Sequence, residues 1–204
     1  MKNDRLKIAI QKKGRLSEAS LTFLNSLGLR FTPNGHYLIQ KCEDREIDLI
    51  LLRDDDIPEY ISRGIADFAI IGENVLLEKQ LNANIIRELD FAKCRLCIAV
   101  PEDSSIKTPS DLEGERIATT YPKLLKDYLI QNNINCAIIP ISGSVEITPE
   151  LNMADAICDI TQTGNTLKAH NLKPLVTILE SKALLITNDV VKNGKQKLKE
   201  LLLK

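Results

Sequence analysis

Residues Asp48–Asn74 read DLILLRDDDIPEYISRGIADFAIIGEN. Asp48–Leu52 is an apolar run of strand length, and Arg53–Asp56 interrupts it with charge. Ile57-Pro58 then opens a short helix, because proline fits the first helical turn without losing a hydrogen bond. That helix ends at Gly64. Asp67–Ile71 is the next apolar run, and it closes at Gly72-Glu73-Asn74. Strand, short helix and strand in succession point to parallel strands with helices on both faces of the sheet.

The same alternation extends in both directions. Upstream, Leu6–Ile10 is an apolar strand that stops at Gln11–Arg15. Ser17 is expected to cap a helix running to about Leu27, closed by Gly28. Val75–Lys79 is a helix after the opening stretch. A second series begins near Cys94, with strands at Arg95–Val100, Arg116–Thr119, Ala137–Pro140, Ala154–Ile160 and Ser181–Thr187. Between them lie a capped turn at Ser110–Gly114 and helices at Pro122–Gln131, Val145–Leu151 and Thr166–His170. A lysine-rich helix, Lys195–Leu203, follows the last strand. No internal repeat or low-complexity tract is visible. Two compact lobes fit better than one sheet, since about nine or ten strands would strain a single twisted sheet.

Composition excludes several classes. The 204 residues are 44% hydrophobic and 27% charged, with a formal net charge of −1. That balance lacks the basic footprint of a nucleic-acid binder. The N-terminal MKNDRLKIAIQKKGRL has charges throughout and reads as no signal peptide. No apolar run approaches the roughly 20 residues of a membrane span. Five cysteines at irregular spacings fit free thiols in a reducing compartment, so a cytoplasmic protein is expected. Cys94-x-x-Cys97 starts a strand, where positions three apart face opposite sides, which counts against a zinc or redox pair.

In α/β folds ligands lie outside the carboxyl ends of the strands. Four such corners are polar here: Gln11–Arg15, Arg53–Asp56, Gly72–Asn74 and Thr161–Thr166. In the last, a strand ending in Asp159 runs into Thr161-Gln162-Thr163-Gly164-Asn165-Thr166. Successive backbone N–H groups, a glycine and several hydroxyls make an anion cradle without a fixed countercharge, suited to a phosphomonoester. Asp159 can accept hydrogen bonds from vicinal hydroxyls of the sugar bearing that phosphate. A 5-phosphoribosyl site is one reading; an ordinary capped strand-to-helix turn is the other. Asp54–Asp56 serve equally well as acids complementing a helix start, with no metal.

The order and spacing of several segments resemble the ATP phosphoribosyltransferase family, the first enzyme of histidine biosynthesis. They are Gln11–Leu16, Arg53–Pro58, Ile70–Leu76, Arg116–Pro122, Gly143–Glu146, Ala154–Asp159 with its Thr-Gly-x-Thr loop, and Ser181–Leu185. The resemblance implies transfer of the 5-phosphoribosyl group of phosphoribosyl pyrophosphate to N1 of ATP, releasing pyrophosphate. It implies Mg2+ held through substrate phosphates and no metal held by the protein alone. It implies an α/β fold of two periplasmic-binding-protein-like (type II) lobes with a cleft between them. Residues 1–92 plus 181–204 would form the ATP and dimerisation side, and 93–180 the phosphoribosyl pyrophosphate side. For phosphoribosyl pyrophosphate it implies Glu146, Asp155, Asp159, Thr161, Gln162, Thr163, Gly164, Asn165, Thr166 and Leu167. For ATP it implies Gln11, Gly14, Arg53, Gly72 and Asn74. Arg15 and Lys12, at the end of the first strand, are the candidate catalytic cations, placed for pyrophosphate or ATP phosphates. One departure is His36-Tyr37, where many members carry basic residues before the Leu-Ile seen here as Leu38-Ile39. The chain resembles the short form, a homodimer working in a hetero-octamer with a regulatory subunit like histidyl-tRNA synthetase. A solute-binding module of the same fold and a phosphoribosyltransferase acting on another base remain as alternatives.

Overall fold

Leu6–Gln11 forms the first strand, β1, in which Ile8, Ala9 and Ile10 are all fully buried. A strand covered on both faces needs a helix layer on each side, and the chain supplies both. The computed structural model describes residues 5–32, 37–189 and 194–204. His36 lies outside the described residues, and Tyr37 is exposed. The chain divides into two compact units, Met1–Ala92 with Lys182–Lys204, and Lys93–Ser181.

In the first unit the helix after β1, α1, spans Arg15–Ser26. It starts two residues before the expected cap. Gly14 stands at the N-cap with φ 92° and ψ −179°, a backbone that essentially only glycine adopts. Ser17 is therefore inside the first turn and buried, and Ser20 donates its hydroxyl to the Leu16 carbonyl at 2.6 Å. The helix closes as expected: Gly28 N–H bonds Asn25 O at 2.9 Å and Leu29 N–H bonds Leu24 O at 3.0 Å.

The remaining elements of this unit are β2 (Ile39–Lys41), β3 (Ile47–Leu52), α2 (Ile57–Ser62), β4 (Phe68–Gly72) and α3 (Glu73–Glu78). A 3₁₀ turn, Asp54–Asp56, leads into α2. β3, β1 and β4 are parallel, β2 is an antiparallel edge on β3, and β9 (Leu172–Thr187) pairs antiparallel with β4. Ile8 and Ile10 face a core with Leu24 of α1 and Leu198 of α6 (Lys195–Leu202), while Ala9 faces the other core with Ile57 and Val75. α1 and α3 thus leave the sheet on opposite faces.

The second unit holds the C-terminal part of β5 (Asn84–Pro101), β6 (Arg116–Thr119), α4 (Pro122–Gln131), β7 (Ala137–Pro140), β8 (Ala156–Thr161) and α5 (Asn165–Ala169). β7, β6 and β8 are parallel, and β5 pairs antiparallel with β8. This repeats the first unit's order of three parallel strands and one antiparallel neighbour, with no matching repeat in the sequence. Ile117 and Cys158 face a core with Leu125 of α4, and Ala118 and Ile157 face one with Leu167 of α5. No helix among the described residues is long and apolar enough to cross a membrane.

Two strands are longer than their apolar runs. β5 begins at Asn84 and β9 at Leu172, about ten residues before the expected starts at Arg95 and Ser181. Both extensions are half-exposed and carry interspersed charges, so they lack the buried-strand pattern. The five cysteines are free thiols, and Cys97 Sγ lies 3.4 Å from Thr177 Oγ1.

At the amino end of β1, Arg5 fastens that strand to β3. Its Nε donates to Asp48 Oδ1 at 2.6 Å, its Nη2 donates to Ile47 O at 2.9 Å, and it also pairs with Glu46. Arg5 and Asp48 side chains are only 12% and 8% exposed. Arg5→Ala would leave a buried carboxylate without its cation, and about 3 kcal/mol of stability should be lost in urea unfolding. An unchanged unfolding midpoint would mean that Asp48 is paired elsewhere.

Candidate functional site

The crossovers run in opposite directions from two neighbouring parallel strands in each unit. β1 leaves through α1 and β4 through α3; β6 leaves through α4 and β8 through α5. At such a switch point the two loops part, and a crevice opens between the carboxyl ends of the strands. The crevice of the second unit lies between Thr119–Tyr121 and Asp159–Thr166.

Buried Thr119 pins the first of these loops. Its hydroxyl donates to Cys158 O at 2.7 Å on the neighbouring strand and accepts Tyr121 N–H at 2.8 Å. Thr120 is thereby set beside Asp159, Oγ1 to Oδ1 3.4 Å. Glu146 reaches the same place from the 3₁₀ turn Val145–Ile147, which is anchored by buried Val145 and by the Thr148 hydroxyl on Val145 O at 2.8 Å. Burial pushes the Asp159 carboxyl above its ordinary range, and the Glu146 charge adds to this. Ile160 N–H and the Thr120 hydroxyl act in the opposite direction. Two half-buried carboxylates held at this edge are acceptors for hydroxyl donors or for a cation.

The loop itself is ordered by its own hydroxyl. Gly164 N–H donates to Thr161 Oγ1 at 3.1 Å, and Thr161 is buried. Gly164 takes φ 77° and ψ 1°, a left-handed turn that a branched residue would strain. Thr163, Asn165 and Thr166 are exposed, and Gln162 is half-buried. Leu167 is 7% exposed, so it can offer a ligand its backbone N–H and only a small apolar surface. His170 is the C-cap of α5.

Asp155 does not join this cluster. It lies just before β8, the far end of a six-residue strand from the loop, about 20 Å away. There its carboxylate accepts from Arg116 Nη2 at 2.8 Å, Nε at 2.9 Å and the backbone N–H at 2.9 Å, which hold its pKa down at about 2. The resemblance implied Asp155 as a phosphoribosyl pyrophosphate ligand; in the structure it stands at the opposite end of β8 from the loop, bonded to Arg116. Thr120 has the opposite history. It carries no motif of its own in the sequence, and its one signal there is its position one residue past a strand that meets a polar loop.

In the first unit, Gln11 ends β1, and Lys12 N–H bonds Leu52 O at 2.7 Å, so the loops after β1 and β3 run together. Lys12, Gly14, Arg15 and Arg53 are exposed at this edge. Arg15 occupies the first turn of α1, where a cation opposes the helix dipole. Asn74 differs from the expected open loop. It lies in the first turn of α3, 7% exposed, with its amide oxygen over Gly72, where any Cβ would collide with it. Among the described residues no three His, Cys, Asp or Glu side chains are grouped to hold a metal. The Glu146–Asp159 pair nevertheless fits Mg2+, which takes one or two carboxylates when phosphates and water complete its shell.

Fold and edges together define an α/β protein with the fold of the type II periplasmic binding proteins. The alkanesulfonate-binding protein SsuA from Xanthomonas axonopodis pv. citri superposes with TM-score 0.63 over 98% of this chain and 72% of its own, at 14% identity. That likeness concerns fold alone. The family model for HisG, ATP phosphoribosyltransferase, matches residues 53–204, and the chain belongs to that family. The ATP phosphoribosyltransferase of Maricaulis maris (strain MCS10) is 45% identical over 188 residues, 89% of this chain. The chain spans 64% of that relative's length. A chain of the ATP phosphoribosyl transferase (HisG:HisZ) complex from Thermotoga maritima matches with TM-score 0.81 and 33% identity, over 97% of this chain and 96% of its own.

The raised Asp159 carboxyl has a measurable consequence. Its ordinary pKa is 3.8, so the folded state disfavours its ionised form and loses stability as pH rises from about that value through the raised one. Asp159→Asn should therefore be more stable than the parent at neutral pH in thermal unfolding, with the difference closing below about pH 4. A variant less stable at pH 7 would show that the ionised carboxylate is favoured in the fold.

Proposed function

We propose that the protein transfers the 5-phosphoribosyl group of phosphoribosyl pyrophosphate to N1 of ATP, giving N1-(5-phosphoribosyl)-ATP and pyrophosphate, the first step of histidine biosynthesis. The observation carrying this reading is the convergence of Glu146, Asp159 and the Thr161–Thr166 loop on one sheet edge in a chain of this family. Each part has a task in the reaction. Asp159 and Glu146 accept hydrogen bonds from the ribose 2- and 3-hydroxyls, which orients the anomeric carbon. The loop binds the 5-phosphate through backbone N–H groups and the hydroxyls of Thr163 and Thr166, with Gln162 and Asn165 as flanking donors. Gln11, Gly14, Arg53, Gly72 and Asn74 form the nucleotide side, with Asn74 acting through its packing on Gly72.

Adenine N1 attacks the anomeric carbon as the bond to pyrophosphate breaks, and charge accumulates on the leaving group. Catalysis then depends on positioning and on cations where that charge develops. Arg15 and Lys12 are the residues we assign to that role. The exposed position of Arg15 at the start of α1, beside the loops after β1 and β3, supports this. When bound, Mg2+ would be held mainly through the substrate phosphates, with the Glu146 and Asp159 carboxylates alongside, and would supply further charge neutralisation on the pyrophosphate.

We also infer a cytoplasmic homodimer that works with a regulatory subunit related to histidyl-tRNA synthetase in a hetero-octamer. The Thermotoga maritima chain, solved as part of a HisG:HisZ complex, supports such a partner. The test is product analysis. Protein incubated with Mg2+, phosphoribosyl pyrophosphate and a panel of nucleotides and free bases should form a phosphoribosyl adduct with ATP alone, and Arg15→Ala should lower kcat more than it raises KM. Product with a free base and none with ATP would assign a different phosphoribosyltransferase. Binding without turnover would support the solute-binding alternative.

A further inference from the structure

The loop that binds the phosphate in the proposed reaction contains no cation, yet a phosphomonoester carries nearly two negative charges. The second unit supplies the missing charge from outside the loop. Arg95 on β5 stands opposite Thr161 in the antiparallel register. Residues directly opposite in such a pair project to the same face, and Arg95 is therefore beside the first residue of the loop. Asp159 is its diagonal neighbour on that face, with Cys97 directly opposite Asp159.

A cavity of about 190 Å³ lies at this point, lined by Arg95, Thr161, Thr163, Gly164, Lys168 and Thr177 among others. Its floor is apolar, with Leu167 and Leu172 both buried. Thr161 Oγ1 already accepts Gly164 N–H, which leaves its own proton available to a ligand. Neither Arg95 nor Lys168 has a carboxylate partner among the described residues. Two unpaired cations, hydroxyl donors and an apolar floor form a concave anion site at the mouth of the loop. A guanidinium presents parallel N–H groups to two phosphate oxygens at once, which an ammonium cannot do.

We propose that Arg95, assisted by Lys168, is the countercharge for the sugar's 5-phosphate and the residue by which this site distinguishes a 5-phosphorylated ribose from a bare one. The inference rests on the phosphoribosyl reading of the loop and extends it to a strand on which that reading places no residue. Arg95 is exposed and packs in no core, so its replacement leaves the fold intact.

The test is calorimetric and NMR titration of the parent, Arg95→Gln and Arg95→Lys with two probes, ribose 5-phosphate and phosphoribosyl pyrophosphate, and of the parent with unphosphorylated ribose as control. Arg95→Gln should weaken both probes by a common factor of about tenfold to a hundredfold, the range for a hydrogen bond to a charged group. Arg95→Lys should restore part of that loss, and the thermal midpoint of both variants should match the parent. Parent-like affinity of Arg95→Gln for both probes overturns the inference while leaving the loop reading intact. Loss confined to phosphoribosyl pyrophosphate also overturns it, by moving Arg95 to the diphosphate. A parent that binds ribose 5-phosphate no better than ribose overturns the pocket as a monoester site. A parent that does not bind phosphoribosyl pyrophosphate overturns the underlying reading itself.

Discussion

Parallel pairing of buried strands is the constraint on which everything else depends. Ile8 against Phe68 and Ala9 against Ala69 align β1 with β4; Ile117 against Ala156 and Ala118 against Ile157 align β6 with β8. Once these registers are set by apolar packing on both faces, the loop after each strand must emerge at the same edge. The helices that follow must part to opposite faces, because each face has its own core to cover. The polar residues at Gln11–Arg15, Gly72–Asn74, Thr119–Tyr121 and Asp159–Thr166 are thus placed mainly by hydrophobic burial along the strands that carry them.

That separation of labour shows most clearly along β8. Asp155 and Asp159 are four residues apart, yet they serve opposite ends. Asp155 is held by three donors from Arg116, which stabilise its ionised form and fasten the amino ends of β6 and β8 together. Asp159 is half-buried beside another acid, so the fold works against its charge. A group kept where its charge is disfavoured is held ready for a partner that the free protein does not provide. Hydroxyls of a ribose and a divalent cation both meet that description.

Much of this was legible in the sequence because burial leaves a trace. The runs Leu6–Ile10, Asp48–Leu52 and Asp67–Ile71 mark strands covered on both sides, and Gly28 marks a helix end. What was not legible depended on pairing. The early parts of β5 and β9 are half-exposed, with charges among their apolar residues, so their strand character comes from neighbours far along the chain. Ser17 had the right residue type for a cap, but Gly14 offered a backbone that turns the chain sooner. Asp155 shared its neighbourhood in sequence with Asp159, and only the strand direction separates them. Arg95 gave no local signal, because its relation to Thr161 exists only in the antiparallel register.

Amide hydrogen exchange of the protein with and without phosphoribosyl pyrophosphate tests the placement of the phosphoribosyl group most directly. The account predicts new protection in residues 159–167 and around Thr120 and Glu146, with the segment near Asp155 unchanged. Protection centred on Asp155 and Arg116, or none in the Thr161–Thr166 loop, would contradict it.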